Sequence, residues 1–203
     1  MIARVVVTTT ARPEPGARTR GQRVAVTTAW SAQPQQLLVL GAATENGQTW
    51  LNVRLPGRPN GSAGWIPRDD VRLTTTPYWV SVARGARRVT IYRAGRRVRT
   101  FRGVVGAPGT PTPLGLAAIY ERNRQPDPNG FLGSWSLPLT LHSNVLDNYD
   151  GGPGRVAIHG RAGASLLDPL GSARSHGCIR VDDRDVSWMA AHLPAGTPVQ
   201  IRA

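Results

Sequence analysis

Val156-Ala157-Ile158-His159-Gly160 and, after a loop-like spacer, Ser175-His176-Gly177-Cys178-Ile179-Arg180 are the residues from which the rest of this chain can be read. They contain the single cysteine of the 203-residue sequence and two of its four histidines. A thiol of ordinary pKa, ~8.5, is only a few per cent ionised near neutral pH, so a reactive cysteine needs a base or a cation beside it. Two bases are at hand. His176 stands two residues before Cys178 and would share its side of a strand, while His159, delivered at the end of the short strand Arg155 to Ile158, would reach it from a neighbouring strand. Spacing alone favours His176. Gly160 and Gly177 let backbone N–H groups come close to a bound substrate, and donors aimed at a developing oxyanion are worth roughly 10²–10³ each in rate.

The pattern of His159-Gly160, a spacer, then Ser175-His176-Gly177-Cys178-Ile179-Arg180 resembles the signature of the YkuD-type L,D-transpeptidase catalytic domain. A second stretch, Gly106-Ala107-Pro108-Gly109-Thr110-Pro111-Thr112-Pro113-Leu114-Gly115, is similar to the Gly-x-x-x-Thr-Pro-x-Pro-x-Gly element of the same domains. The resemblance implies a β-rich catalytic domain over 78–203. It implies Cys178 as nucleophile and His159 as base, with the Gly160 carbonyl orienting the imidazole. His176, Gly177 and Ser175 would then shape the oxyanion and substrate region, and Arg180, at the family's Asn/Arg position, would set a fixed positive charge near a thiolate or a substrate carboxylate. The reaction implied is formation of 3→3 cross-links in peptidoglycan through a thioester, from a tetrapeptide stem, with no cofactor and no metal.

Three rivals follow from the same residues. Water in place of the acceptor amine gives an L,D-carboxypeptidase. A zinc site from His142, His159, His176 and Cys178 lacks a carboxylate or second cysteine at ligand spacing. A catalytically silent wall-binding protein would use the first part of the chain and its basic surface.

Composition sets the outer limits. Twenty-three Gly and 17 Pro describe a turn-rich chain of short strands, and 40% hydrophobic residues with six Trp supply a core. No apolar run reaches the ~20 residues of a membrane span. Met1-Ile2-Ala3-Arg4 is no secretory signal, so an exported, cell-envelope or periplasmic protein is expected to have had its signal removed. The net charge of +13, carried by arginine, suits anionic cell-wall polymers as well as plain solvation, and no nucleic-acid motif accompanies it. One cysteine forms no internal disulfide, and a monomer is expected.

Residues 1–75 read as short strands separated by turns, among them Asn46-Gly47 and Asn60-Gly61. Leu51, Val53 and Leu55 share one face by the two-residue period. Trp50 to Arg54 with Gly64-Trp65-Ile66-Pro67 and Asp70-Val71 resembles the end of a bacterial SH3-like barrel, with Trp50 and Trp65 as packing residues rather than ligand platforms. The fold class is therefore expected to be mainly β: an N-terminal SH3-like barrel, a linker at Thr74-Thr75-Thr76-Pro77, and the catalytic domain. Ala94-Gly95 turns a second, basic hairpin. Residues 121–153 lack clear periodicity and are a candidate lid, with Trp135 or Tyr149 on the ligand and His142 on the surface. Val186, Met189, Ala190 and Leu193 predict one helix, for which Asp182 and Asp183 offer N-caps and in whose last turn His192 meets the dipole.

Overall fold

The structure, a computed structural model, describes residues 1–149 and 151–203. Asp150, inside the candidate lid, lies outside the described residues. The first part of the chain forms β1 (Ile2–Val5), β2 (Thr9–Ala11), β3 (Gln22–Val24), β4 (Gln36–Glu45), β5 (Gln48–Arg54), β6 (Ala63–Pro67) and β7 (Val71–Thr74). Five of these make an antiparallel sheet in the order β6-β5-β4-β1-β7, and β2 with β3 is a ribbon joined to it by the Arg12↔Trp65 bridge. Asn46 and Gly47 both take positive φ, 50° and 77°, which is the two-residue turn that matches strand twist. Leu51, Val53 and Leu55 are all buried, against Leu37, Ile66 and Val71. Trp50 is buried and Trp65 half-buried, in keeping with packing roles.

The expected SH3-like barrel is not confirmed. β6 and β7 remain the two ends of an open sheet, and no closed barrel is found among the described residues. The outer half of β4, from Leu40 to Glu45, carries no buried side chain, although Trp50 and Leu51 opposite it on β5 are buried. Local strand and turn patterns are common to open and closed small sheets, so they do not fix closure.

The remaining chain forms β8 (Tyr78–Ala83), β9 (Arg88–Arg93), β10 (Arg96–Arg102), β11 (Val105–Gly106), β12 (Gly115–Ala118), β13 (Asn123–Arg124), β14 (Trp135–His142), β15 (Arg155–His159), β16 (Ala173–Ser175), β17 (Ile179–Arg180), α1 (Asp183–His192) and β18 (Pro198–Arg202). Two sheets result, β10-β9-β8-β18-β12 and β13-β14-β15-β17, with the parallel pair β11-β16 beside them. β18 runs parallel to β8, and β15 parallel to β17. One apolar core takes Val80, Val82 and Ile91 from the first sheet, Leu137, Leu139 and Ile158 from the second, and Val186, Met189 and Leu193 from the α1 region. Among the described residues α1 is the single α-helix, and no helix is long and apolar enough to cross a membrane.

Within the candidate lid, residues 135–142 form β14, a mostly buried strand paired with β15. Only the flanking loops, 125–134 and 143–154, are left to cover anything. Trp135 packs against the core. His142 is also corrected, from surface to interior: it is 3% exposed.

Candidate active site

The parallel register of β15 and β17 pairs Ile158 with Ile179 and His159 with Arg180. It brings the end of one strand beside the start of the other, so His159 and Cys178 open into the same cavity of about 560 Å³. The loops 125–134 and 143–154 wall that cavity, with Phe131 from the first and Tyr149 from the second. His176 and Arg180 also line it.

Each side chain is held by its own local structure. His159 is buried, and its Nδ1 lies 2.8 Å from the carbonyl oxygen of Gly160. A carbonyl can only accept, so this contact puts the ring proton on Nδ1 and leaves the Nε2 lone pair free. Gly160 is required by close approach: a Cβ there would stand 2.3 Å from Asp183 Oδ1 and 3.1 Å from Val186 Cγ1 on α1. Asp182 occupies the N-cap position without a side-chain cap bond, while the Asp183 carboxylate accepts the Ser134 N–H at 2.7 Å. The helix start thus anchors the 125–134 loop.

The turn carrying Cys178 is bonded internally and from below. Gly177 has φ +118°, a conformation open to glycine and strained for other residues. Its N–H donates to Ser175 Oγ at 3.1 Å, and that hydroxyl donates to the Cys178 carbonyl at 2.6 Å. The Gly177 N–H is therefore already engaged. Nothing among the described residues accepts the Cys178 N–H, which leaves it as the donor available to an oxyanion. Beneath the turn lies the 106–115 stretch. Buried Thr112 accepts the Gly106 N–H and donates to the Gly177 carbonyl, both at 2.9 Å, and Thr110 Oγ1 donates to the Ser175 carbonyl at 3.1 Å.

Arg180 is 3% exposed and forms an ion pair with Asp168 at 2.5 Å. The Phe131 ring covers the guanidinium, 4.7 Å from Cζ to the ring centroid, a stacked cation–π contact. Its Nε has no partner among the described residues. Exposed His176 makes no bond to Cys178; its Nδ1 lies 3.3 Å from Tyr149 Oη, with the two rings 5.2 Å apart. His192 is bonded to the Trp188 carbonyl in the last turn of α1, outside the cavity.

Burial drives the electrostatics. The His159 pKa is pushed down to about 4, first by desolvation and then by the Arg180 charge, against the pull of the Gly160 carbonyl. The imidazole is thus neutral near pH 7. Burial raises the Cys178 thiol, opposed by a backbone bond from Ala157 and by Arg180. Both directions favour thiol and neutral imidazole over an ion pair. Among the described residues no group of three or more His, Cys, Asp or Glu side chains is arranged to hold a metal.

Asp168 and Phe131 are cavity-side residues that sequence reasoning did not single out, and Thr112 was read only as part of the 106–115 stretch. For Asp168 a signal existed: it is the one carboxylate between His159 and Val181.

The family model for YkuD, the L,D-transpeptidase catalytic domain, matches residues 77–201. A relative in Bacillus licheniformis that carries the YkuD name is 35% identical over 127 residues, 63% of this chain and 67% of that one. An L,D-transpeptidase crystal structure from Mycobacterium tuberculosis H37Rv superposes with TM-score 0.52 at 14% identity, over 82% of this chain and 98% of its own. The structure of LdtMt1 in complex with imipenem gives TM-score 0.50 at 15% identity, over 82% and 99%. At these identities the two structures bear on the fold alone.

Proposed function

Because the chain belongs to the family of L,D-transpeptidase catalytic domains, we propose that it joins peptidoglycan stem peptides by acyl transfer through a Cys178 thioester, yielding 3→3 cross-links. The observation that carries this reading is that His159, its Nδ1 committed to the Gly160 carbonyl, opens with Cys178 into one cavity.

In this mechanism Nε2 of His159 takes the Cys178 proton as sulfur attacks the carbonyl between the third and fourth residues of a tetrapeptide stem. The carbonyl oxygen becomes an oxyanion facing the Cys178 N–H. Collapse breaks the C–N bond, and the imidazolium gives its proton to the departing D-alanine amine. A side-chain amine of a second stem then attacks the thioester, His159 accepts its proton, and the returning sulfur takes that proton back. The neutral resting pair suits this cycle, since a base with a low pKa returns its proton readily to a leaving amine. Arg180 supplies positive potential to the thiolate or to a substrate carboxylate. The substrate lies outside the cytoplasm, so an exported protein follows from the reading.

A second partner, an anionic cell-wall polymer, is favoured by one observation. Residues 71–120 hold nine arginines and no carboxylate, and most of them lie on or beside the β9–β10 hairpin at the sheet edge. Such a surface would hold the enzyme on its substrate without entering the chemistry.

The test is intact-mass spectrometry after incubation with imipenem, followed by product analysis on purified stem peptides. A single adduct that is absent in Cys178→Ala and slowed in His159→Ala, with cross-linked dimers as product, is the expected result. Shortened stems without dimers would make it a carboxypeptidase. No adduct on the unaltered protein would leave the wall-binding reading in its place.

A further inference from the structure

The loop 143–154, which carries Tyr149 to the cavity, is held from outside the family-matched region. Arg58 sends Nη1 to the Ser143 carbonyl at 2.8 Å and Nη2 to the carbonyls of Leu146 at 3.0 Å and Pro153 at 3.2 Å. One guanidinium therefore ties both stems of the loop. Asn60 pairs with His142 as a neighbouring strand would: its Nδ2 donates to the His142 carbonyl at 2.7 Å and its Oδ1 accepts the His142 N–H at 2.8 Å. The loop closes on itself through Ser143 N–H to the Gly154 carbonyl at 2.7 Å. At the far end Tyr149 Oη meets His176 Nδ1, two residues from Cys178.

We propose that Arg58 and Asn60 are positioning residues that fix this loop, and through Tyr149 the His176 side of the cavity, so that the N-terminal part of the chain completes the reaction site. The proposal rests on the acyl-transfer reading above. The carbonyl bonds carry the contact more than the ion pair does, because Arg58 meets Asp147 at 3.5 Å where that carboxylate is 97% exposed and screened by water. Three carbonyls in different directions require a planar fork of donors, which lysine does not have.

The experiment uses the full chain with Arg58→Ala, Arg58→Lys, Asn60→Ala and Asp147→Asn. Three quantities are read: the imipenem concentration giving half-maximal acylation rate, the rate of Cys178 alkylation by iodoacetamide, and amide exchange across 143–154. Arg58→Ala and Asn60→Ala are expected to raise the half-saturating concentration about tenfold, a displacement effect of the kind a shifted wall produces. Exchange in the loop should quicken, and alkylation should stay at the wild-type rate, since the small reagent does not use the wall. Arg58→Lys should recover little, and Asp147→Asn should behave as wild type. Faster loop exchange with wild-type acylation constants would reduce the contact to a structural tie and overturn the proposal. A wild-type protein that imipenem does not acylate would instead overturn the acyl-transfer reading, a separate failure visible before any variant is made.

Discussion

His159 Nδ1 and the Gly160 carbonyl oxygen, 2.8 Å apart, form a contact between neighbours in the chain that decides which ring nitrogen can act as a base. The job often given to a third side chain is done by the backbone. Gly160→Ala tests how closely that backbone must sit, since the added methyl would meet Asp183 Oδ1 and Val186 on α1. We expect imipenem acylation to fall about 10²-fold while the protein stays folded, the size of effect a misplacement near 1 Å produces. Rate by mass spectrometry and far-ultraviolet circular dichroism together check this.

The raised thiol pKa predicts a pH profile. A cysteine stored as an ion pair reacts at a plateau from mildly acidic pH upward, whereas a buried neutral thiol gains reactivity only as it ionises. Iodoacetamide alkylation of Cys178 should therefore keep rising above pH 8.5. A plateau reached below pH 7 would mean that a thiolate–imidazolium pair is the resting state.

Ser175→Ala removes one hydroxyl that accepts the Gly177 N–H and donates to the Cys178 carbonyl. Both groups lose a partner in this turn, at about 1–3 kcal/mol for each group left unsatisfied. The expected outcome is a lower unfolding midpoint in urea together with an acylation rate reduced by about tenfold. Unchanged stability would show that water replaces the hydroxyl.

Asp168→Asn leaves the Arg180 guanidinium buried without its counter-charge. Breaking such a pair on one side costs about 3–5 kcal/mol when fully buried, and somewhat less here because Asp168 retains 22% exposure. Urea unfolding of Asp168→Asn, Arg180→Gln and the double variant reads the coupling. The double variant is expected to be less destabilised than the two single effects summed.

Acid should destabilise the fold in a window set by two histidines. His142 and His159 each have a pKa pushed to about 4, mainly by burial. The unfolded chain, with ordinary values near 6.5, takes up protons first, so stability is full above pH 6.5 and falls as pH drops from 6.5 to 4. Each group contributes on the order of 3 kcal/mol to that fall. The melting temperature of His142→Gln should decline less steeply over this window than that of the wild type, whatever its absolute value.

A pattern confined to a few neighbouring residues was the easiest part to read, and the structure brings its His159 and Cys178 to one cavity. His159, Cys178 and the glycines beside them form a short pattern because a strand end and a tight turn need those residue types locally. The turns at Asn46-Gly47 and Ala94-Gly95 were legible for the same reason, with both pairs at positive φ. What depends on distant partners was not. His142 is buried because it lies within β14, with Arg155 and Arg58 close enough to depress its pKa, and spacing within one strand says nothing of that. Backbone N–H groups near Gly177 and Cys178 were expected to face an oxyanion, and the Ser175 hydroxyl takes the first of them. Sheet closure in residues 1–75 was illegible too, since the pattern of a strand does not record whether its free edge finds a partner.

The last strand in chain order, β18, lies in the interior of its sheet, between β8 and β12, and runs parallel to β8. Its inward Val199 and Ile201 belong to the core. Until those residues leave the ribosome, β8 and β12 have no neighbour in common, so the sheet containing them can close only after synthesis has passed Cys178. The five-stranded sheet of residues 2–74 carries no such debt, and its strands are complete well over a hundred residues earlier. Assembly is thus expected to be sequential, with the early sheet in place before a slower, long-range closure of the reactive part.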